Sequence, residues 1–181
     1  MPSYYIYLIS SLPLLQLGMK PPFMFEKFLK QCAEFIPDED LKVLKRCSID
    51  GDYQYEGMQE TLKRWRAFDT ALRNEVAKVR AGHKHIDSAK YLRRAESFDP
   101  SIPHIVLSSH RSPSILEGER ALDEARWRAL DELAIGHYFD IDYLIVYSHK
   151  LLILEKWERI RGADRARLVE DICKLKESAA L

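Results

Sequence analysis

Residues 136–157, GHYFDIDYLIVYSHKLLILEKW, decide the fold of this chain. From Tyr143 to Trp157 the segment carries ten aliphatic or aromatic side chains, and the polar residues form two short interruptions. A helix that is apolar nearly all round lies inside a globular protein. A membrane span needs about 20 uninterrupted apolar residues, and the interruption at residues 148–150 prevents this. The pattern therefore predicts an apolar central helix at residues 141–161.

Neighbouring residues predict where the adjoining helices begin and end. Ser114 is a good N-cap for an amphipathic helix that runs to about Gly136, and Asp140 can cap the central helix. Gly162 is expected to end the central helix, because glycine is common just past a helix terminus. Asp164 is then expected to begin a final amphipathic helix.

Apolar residues at helical spacing predict three further helices in the first half of the chain. The first covers residues 23–36, and a shorter one begins after Pro37. A long helix runs from Met58 to about Arg80 and is expected to end at Gly82. These helices would pack against the central one through their apolar stripes.

Asp69 lies on the apolar seam of the long helix. A buried carboxylate is costly unless it is paired. We therefore expect Asp69 to have a polar partner or to face a gap at the end of the helix contact.

Turn-forming residues predict the connections. Residues 49–57, IDGDYQYEG, are rich in such residues and predict a loop. A weaker helix is expected around residues 87–95. It leads to residues 99–113, DPSIPHIVLSSHRSP, where three prolines in fifteen residues predict a Pro-rich crossover loop without regular structure for most of its length.

The N-terminal segment YYIYLIS is the one place where strand propensity competes with helix, since Tyr and Ile favour strands. No second segment offers a pairing strand. The prediction is an all-α fold, a compact bundle of about six to seven helices. All residues from 1 to 181 are assigned to a single helical domain.

Composition limits the class of protein. The chain has 28 basic and 28 acidic residues and is 46% hydrophobic, which argues against a disordered chain and against a generally cationic nucleic-acid-binding protein. Cys32, Cys47 and Cys173 lie far apart without a CxxC pair, so they indicate buried thiols in a reducing compartment. The apolar N-terminus lacks a basic region and a cleavage site, and Pro13 interrupts it, so no secretory signal is indicated.

Charge is unevenly distributed along the chain. Residues 59–94 contain ten Lys or Arg against four Asp or Glu, and residues 114–143 contain three against eight. The two segments either pack together with complementary rims or meet different partner surfaces, and sequence does not separate these alternatives. The residues chosen as candidate partner contacts are Arg64, Arg73, Arg80, Glu124, Asp131 and Asp142.

Several side-chain groups invite a chemical role. His83 and His85 point apart on a helix and have no accompanying ligand set, so a metal site is not favoured. Residues 108–112, SSHRS, lack the glycines of a phosphate loop. His137 with Asp140 could exchange protons, but a hydrogen-bonded break between helices is the favoured interpretation. We therefore predict no catalytic residues, no cofactor, no metal and no small-molecule substrate.

Three segments carry a resemblance to a known family. They are YYIYLISSLPLL (4–15), KPPFMFEKFL (20–29) and EARWRALDELAIGHYFDIDYLIVYSHKLLILEKWERI (124–160). They resemble bacterial domain-of-unknown-function family 2764, which is encoded in V-type ATPase operons. The stretch from residue 126 to residue 157 is the most specific part.

The resemblance implies a function. The family looks like a shortened form of the V-type ATPase socket subunit (C-type in bacteria, d-type in eukaryotes), the helical protein that joins the rotating central stalk to the membrane ring. The tyrosine-rich start of the chain is similar to the first helix of that socket subunit, which favours helix there. The resemblance implies a non-catalytic subunit or assembly factor with central-stalk or membrane rotor subunits as partners. The socket subunit itself is considerably longer, with three repeated lobes, so this chain would supply only part of such a socket.

The implied location is cytoplasmic, or peripheral on the cytoplasmic face of the membrane through partners alone. The alternative is an independent soluble helical protein. Such a protein would either be an enzyme of unknown activity or bind nucleic acid through the basic face from Lys63 to Arg94.

Overall fold

The structure, a computed structural model, describes the backbone of residues 3–49, 59–94 and 99–179 and the side chains of residues 5–49, 59–94 and 99–163. This described part contains seven α-helices, one short 3₁₀ helix and no strand, which confirms the all-α prediction. No helix within it is long and apolar enough to cross a membrane. The helices are α1 (Ser3–Ser11), α2 (Phe25–Ala33), α3 (Asp38–Lys45), α4 (Glu60–Lys84), α5 (Ile102–His110), α6 (Ile115–Leu133) and α7 (Ile141–Ala179).

Helix α7 is the central helix that the apolar stretch predicts. Leu144, Leu151 and Leu154 are completely inaccessible to solvent, and burying each such side chain contributes roughly 1.5 to 3 kcal/mol before its lost entropy is subtracted. The helix begins where Asp140 accepts a hydrogen bond from the amide of Tyr143 at 3.0 Å. Asp140 is therefore the predicted N-cap.

Helix α7 is also longer than predicted. It continues through Gly162 to Ala179, 39 residues in all, so the predicted end at Gly162 and the separate helix from Asp164 are wrong. An interior glycine costs about 1 kcal/mol relative to alanine, whereas a second helix would need its own unfavourable nucleation. One continuous helix therefore tolerates the glycine.

Most of the core surrounds the first half of α7. Side chains of α1, α2 and α3 join it in one apolar cluster, together with the first part of α4 and the last part of α6. Phe28 of α2 stacks on Tyr147 of α7 with ring centroids 5.3 Å apart. The Tyr147 hydroxyl donates to the carbonyl of Pro13 at 3.0 Å, which fixes the segment after α1.

The N-terminal segment is a helix, as the resemblance implies. Tyr5, Leu8 and Ile9 of α1 are buried in the main cluster. The strand propensity of the segment is overridden because its apolar residues find neighbours at helical spacing.

A second, smaller cluster joins the later part of α4 to α5 and the first part of α6. Its fully buried members are Leu72, Ile102, Val106 and Leu122. Most of the predicted crossover loop at residues 99–113 forms α5, so the prediction of a mostly irregular segment is wrong. Pro103 lies in the first turn of α5, where an amide has no helical partner to lose, and the other two prolines lie outside the helix.

Helix α4 passes its predicted stop. It includes Gly82 and ends at Lys84, after which His85 takes the left-handed conformation with φ of 53°. The amides of His85 and Ile86 bond back to Gly82 and Ala81, which satisfies carbonyls of the last turn. The weaker helix expected at residues 87–95 is only the 3₁₀ turn Ser88–Tyr91.

The predicted loop at residues 49–57 lies almost wholly outside the described residues, as does the end of the segment at 87–95.

Helices α5 and α6 approach closely at Gly118. The Ser109 hydroxyl donates to the Gly118 carbonyl at 2.7 Å. A Cβ at residue 118 would lie 2.7 Å from the Ser109 carbonyl oxygen. Glycine is therefore required at this contact for steric reasons.

Two glycine replacements test these features. Gly162→Ala should stabilise the protein by about 0.5 to 1 kcal/mol, because residue 162 is helical and an added Cβ meets no atom within 4 Å. Gly118→Ala should destabilise it by about 1 to 3 kcal/mol through overpacking. Urea unfolding followed by circular dichroism measures both changes. A destabilising Gly162→Ala would show that α7 breaks at that residue.

Candidate binding surfaces and the buried ionic network

Asp69 has polar partners, which is one of the two arrangements that its position on an apolar seam predicts. Its side chain is 1% exposed, and its two oxygens accept hydrogen bonds from Arg126 Nε at 2.8 Å and Arg73 Nε at 2.6 Å. Burial alone would raise the pKa of the Asp69 carboxyl. The charges and hydrogen bonds of Arg126 and Arg73 outweigh burial and hold that pKa below its ordinary value.

The contacts of Asp69 continue into α6 and α7. Arg126 Nη1 donates to Asp123 at 2.7 Å, and the other oxygen of Asp123 accepts from Lys156 Nζ at 2.8 Å and from Trp157 Nε1 at 2.9 Å. Lys156 also reaches Glu119 at 2.5 Å. We call Asp69, Arg73, Glu119, Asp123, Arg126 and Lys156 the ionic network.

The ionic network lies between the two apolar clusters. On α4, Asp69 separates Trp65 of the large cluster from Leu72 of the small one. Phe68 packs against both clusters. Burial would lower the pKa of the Arg126 guanidinium, but Asp69 and Asp123 raise it above its ordinary value, so the arginine stays charged. The network therefore joins α4, α6 and α7 at the boundary between the two apolar clusters.

The basic and acidic segments do not simply pack together with complementary charges at the rims of their contact. The buried bridge between α4 and α6 has its acid, Asp69, on the basic helix and its base, Arg126, on the acidic one. Two lysines of α7 neutralise carboxylates of α6, since Lys156 meets Asp123 and Lys150 meets Asp131 at 2.5 Å. Most Lys and Arg side chains of α4 thus form no ion pair with a carboxylate of α6.

Four of the six candidate partner contacts take part in contacts within the chain, and three of these four connect different segments. Arg73 bonds Asp69 and also donates to the Ile49 carbonyl. Asp142 accepts hydrogen bonds from Gln59 and Thr61, which tie the start of α4 to α7. Asp131 is exposed but bonds Lys150. Arg73 and Asp142 therefore support the fold, whereas the Asp131 pair is solvent-accessible and contributes little to stability.

The other three candidates face solvent. Arg64 and Arg80 are exposed on α4. Glu124 lies 3.6 Å from Arg120 in a solvent-accessible pair on α6, a kind of contact that contributes little to stability. The prediction that such residues bind partners stays a prediction.

His137 and Asp140 form the hydrogen-bonded break between helices that the sequence favours over an acid/base pair. His137 Nδ1 lies 2.7 Å from Asp140, which also caps α7. With Asp142 they are the one group of three ligand-type residues within 4.8 Å of one another among the described side chains. Both carboxylates already accept protein hydrogen bonds. The geometry therefore explains the group as a helix connection.

His149 is a buried polar residue that sequence reasoning did not single out. It is 1% exposed, and its Nδ1 lies 2.9 Å from the Ile145 carbonyl. Its ring centroid lies 5.0 Å from that of Trp65. Burial lowers the pKa of the His149 imidazole to about 4, although the hydrogen bond to Ile145 and the charge of Asp69 oppose the shift. The imidazole is therefore neutral near pH 7.

Two cysteines are buried thiols, as predicted. Burial raises the pKa of both Cys32 and Cys47 to about 12. Such thiols stay protonated at neutral pH and are poor nucleophiles. The side chain of Cys173 lies outside the described residues.

Residues 101–175 match the model of a family described as "Protein of unknown function (DUF2764)". The match covers α5, α6 and most of α7. It supports the family part of the resemblance over these residues. Comparisons with curated proteins and with solved structures find no match.

Removing one charge from the ionic network should weaken the fold. Asp69→Asn leaves Arg126 and Arg73 without their shared carboxylate, so we expect a loss of about 3 to 5 kcal/mol in the free energy of unfolding. The control Glu75→Gln breaks the solvent-accessible pair with Lys78 and should change it by less than about 0.5 kcal/mol. Urea unfolding at neutral pH measures both. Equal effects would contradict the structural role of the network.

His149 should make stability depend on pH. The unfolded imidazole binds a proton near pH 6.5, and the folded one only near pH 4. Stability from the neutral imidazole is therefore complete above about pH 6.5 and should fall by about 3 kcal/mol as the pH drops to about 4. His149→Leu should lack this component, while the carboxylates titrate in both proteins. Identical pH profiles for the two proteins would refute the shift.

Proposed function

We propose that this chain is a non-catalytic subunit or assembly factor of a bacterial V-type ATPase. It binds central-stalk or membrane rotor subunits and needs no cofactor. The resemblance of residues 4–15, 20–29 and 124–160 to a family encoded in V-type ATPase operons supports the proposal. In this function the chain is peripheral on the cytoplasmic face of the membrane and reaches it only through its partners.

The architecture of α7 is the observation that carries the proposal. At 1.5 Å per residue a helix of 39 residues is about 58 Å long. Its first half is enclosed by the main cluster, and Lys156 and Trp157 donate hydrogen bonds to Asp123 of α6. Close packing resists deformation. A helix held in this way suits a part that must transmit torque without shear between its helices.

Exposed charges supply the contact surfaces for this role. Arg64 and its neighbour Lys63 are exposed near the start of α4, and Glu124 is accessible on α6. Charges at the rim of an interface act mainly on the rate of association and on orientation. The basic surface would therefore face an acidic partner and the acidic surface a basic partner, and the two contacts would orient the chain between them.

Affinity capture from the native host tests the function. The intact chain should recover V-type ATPase subunits under gentle conditions, and chemical cross-linking should join it to stalk or rotor subunits. Recovery of none of these subunits would refute the proposal. A strong, salt-dependent shift of DNA or RNA by the purified chain would instead favour the nucleic-acid alternative, which a flat titration at low salt would remove.

Charge reversal at the two exposed surfaces should weaken partner binding. Arg64→Glu and Glu124→Lys should each reduce the affinity for captured subunits by about tenfold, which corresponds to about 1.4 kcal/mol. The helical circular dichroism signal should stay unchanged, because neither residue is buried. Lys27→Glu, at an exposed residue of α2, is the control and should keep full affinity. Arg73 is unsuitable for this test because it bonds Asp69.

A further inference from the structure

An open groove of about 700 Å³ lies beside the ionic network. It is bounded by α4, by the segment around the 3₁₀ turn Ser88–Tyr91, by the end of α5 and by α6. Its α4 residues run from Arg73 to Lys84, which is about 16 Å along the helix. Volumes of about 300 to 1,000 Å³ are typical of small-molecule sites.

The floor of the groove is apolar. Ala77 and Ala81 lie one turn apart on α4, and their small side chains leave the space that larger residues would fill. Val76 of α4 and Leu122 of α6 complete the floor. A flat or apolar body can therefore lie against α4.

One wall is held in place by a side-chain amide. Asn74 donates to the Arg93 carbonyl at 2.7 Å and accepts from the Arg93 amide at 2.9 Å. This pair of bonds fixes the segment after the 3₁₀ turn against α4. Tyr91 and Ile86, which are 60% and 46% exposed, line the same wall. An aromatic ring and an aliphatic side chain thus line the groove.

The groove has an excess of positive charge. Arg80 and Lys84 are exposed at its rim, and neither makes an ion pair with a side chain that the structure describes. The carboxylate in its wall, Glu119, bonds Lys156 at 2.5 Å. Arg73 and Arg126 are already bonded to Asp69. An anion at the rim would therefore meet Arg80 and Lys84 without a competing carboxylate.

Two imidazoles lie at the far end of the groove. His83 of α4 and His110 of α5 face each other with ring centroids 4.2 Å apart. Their nitrogens can donate hydrogen bonds to anionic oxygens. Together with Lys84, they concentrate donors at the end of α4.

We propose that this groove binds an organic phosphate, with the phosphate at Arg80, Lys84 and the His83–His110 pair and a flat apolar body against Tyr91 and the alanine floor. Arginine, lysine and histidine donors suit the several anionic oxygens of one or two phosphates. The short length of the groove fits a small molecule better than an extended polymer. This site is independent of the V-type ATPase proposal.

Calorimetric titration of the full chain with ADP, pyrophosphate and adenosine at low salt tests the site. ADP is expected to bind at least tenfold more tightly than adenosine and more tightly than pyrophosphate, because the phosphate and the body both contribute. Arg80→Gln with Lys84→Gln should weaken ADP binding at least tenfold at an unchanged melting temperature. The charge-matched control Lys42→Gln with Lys45→Gln, both exposed on α3, should bind like the original chain.

Several outcomes would overturn the inference. They are no heat from millimolar ADP, equal affinity for ADP and adenosine, and ADP binding that survives the Arg80 and Lys84 replacements. Vesicles of phosphatidylcholine with and without phosphatidic acid form a further arm. If the chain sediments only with the phosphatidic acid vesicles, loses this through the same replacements and does not bind ADP, the site recognises a lipid headgroup and the small-molecule inference is wrong.

Discussion

The requirement that buried Asp69 meet positive charge is the constraint on which the arrangement of the helices depends. Apolar clusters are non-directional and allow helices to slide, whereas charged hydrogen bonds need defined positions. Arg126 satisfies Asp69 and in turn needs Asp123, which fixes one register between α4 and α6. Asp123 then accepts bonds from Lys156, which fixes α7 against the same pair. The positions of α4, α6 and α7 relative to one another are thus set by buried polar atoms.

Much of the fold follows from periodicity. The apolar run of α7 predicts its central position, and Asp140 predicts its start. Asp69 on the seam predicts either a polar partner or a gap, and it has the partner. The errors come from single residues used as stop signals. Gly162 lies inside α7 because a modest glycine cost is outweighed by continued helix. Of the three prolines in residues 99–113, one lies in the first turn of α5 and two lie outside the helix. The number of prolines without their positions therefore predicts a loop where the structure has a helix.

The surfaces were harder to predict than the core. Net charge per segment identified basic and acidic regions, but it contains no information on which side chains turn inward. Arg73 and Asp142 therefore looked like surface charges, although they bond Asp69 and the start of α4. The i, i+3 spacing of Asp123 and Arg126 indicates a local pair. Nothing in spacing shows that Lys156, in another helix, completes it. The groove beside the network was also outside the reach of sequence patterns, since its wall depends on bonds between residues 19 apart in the chain.

The unbroken course of α7 sets a rule for how this protein can change length during evolution. With 3.6 residues per turn, each inserted or deleted residue turns everything beyond it by about 100° about the helix axis. A single-residue change after Trp157 would therefore leave the core intact and aim the distal part of the helix in another direction. Steps close to a whole number of turns, such as about seven residues (two turns) or about eleven residues (three turns), preserve that direction. The orientation of the distal segment about the helix axis is thus fixed relative to the enclosed segment. A change in the length of the helix between them changes that orientation.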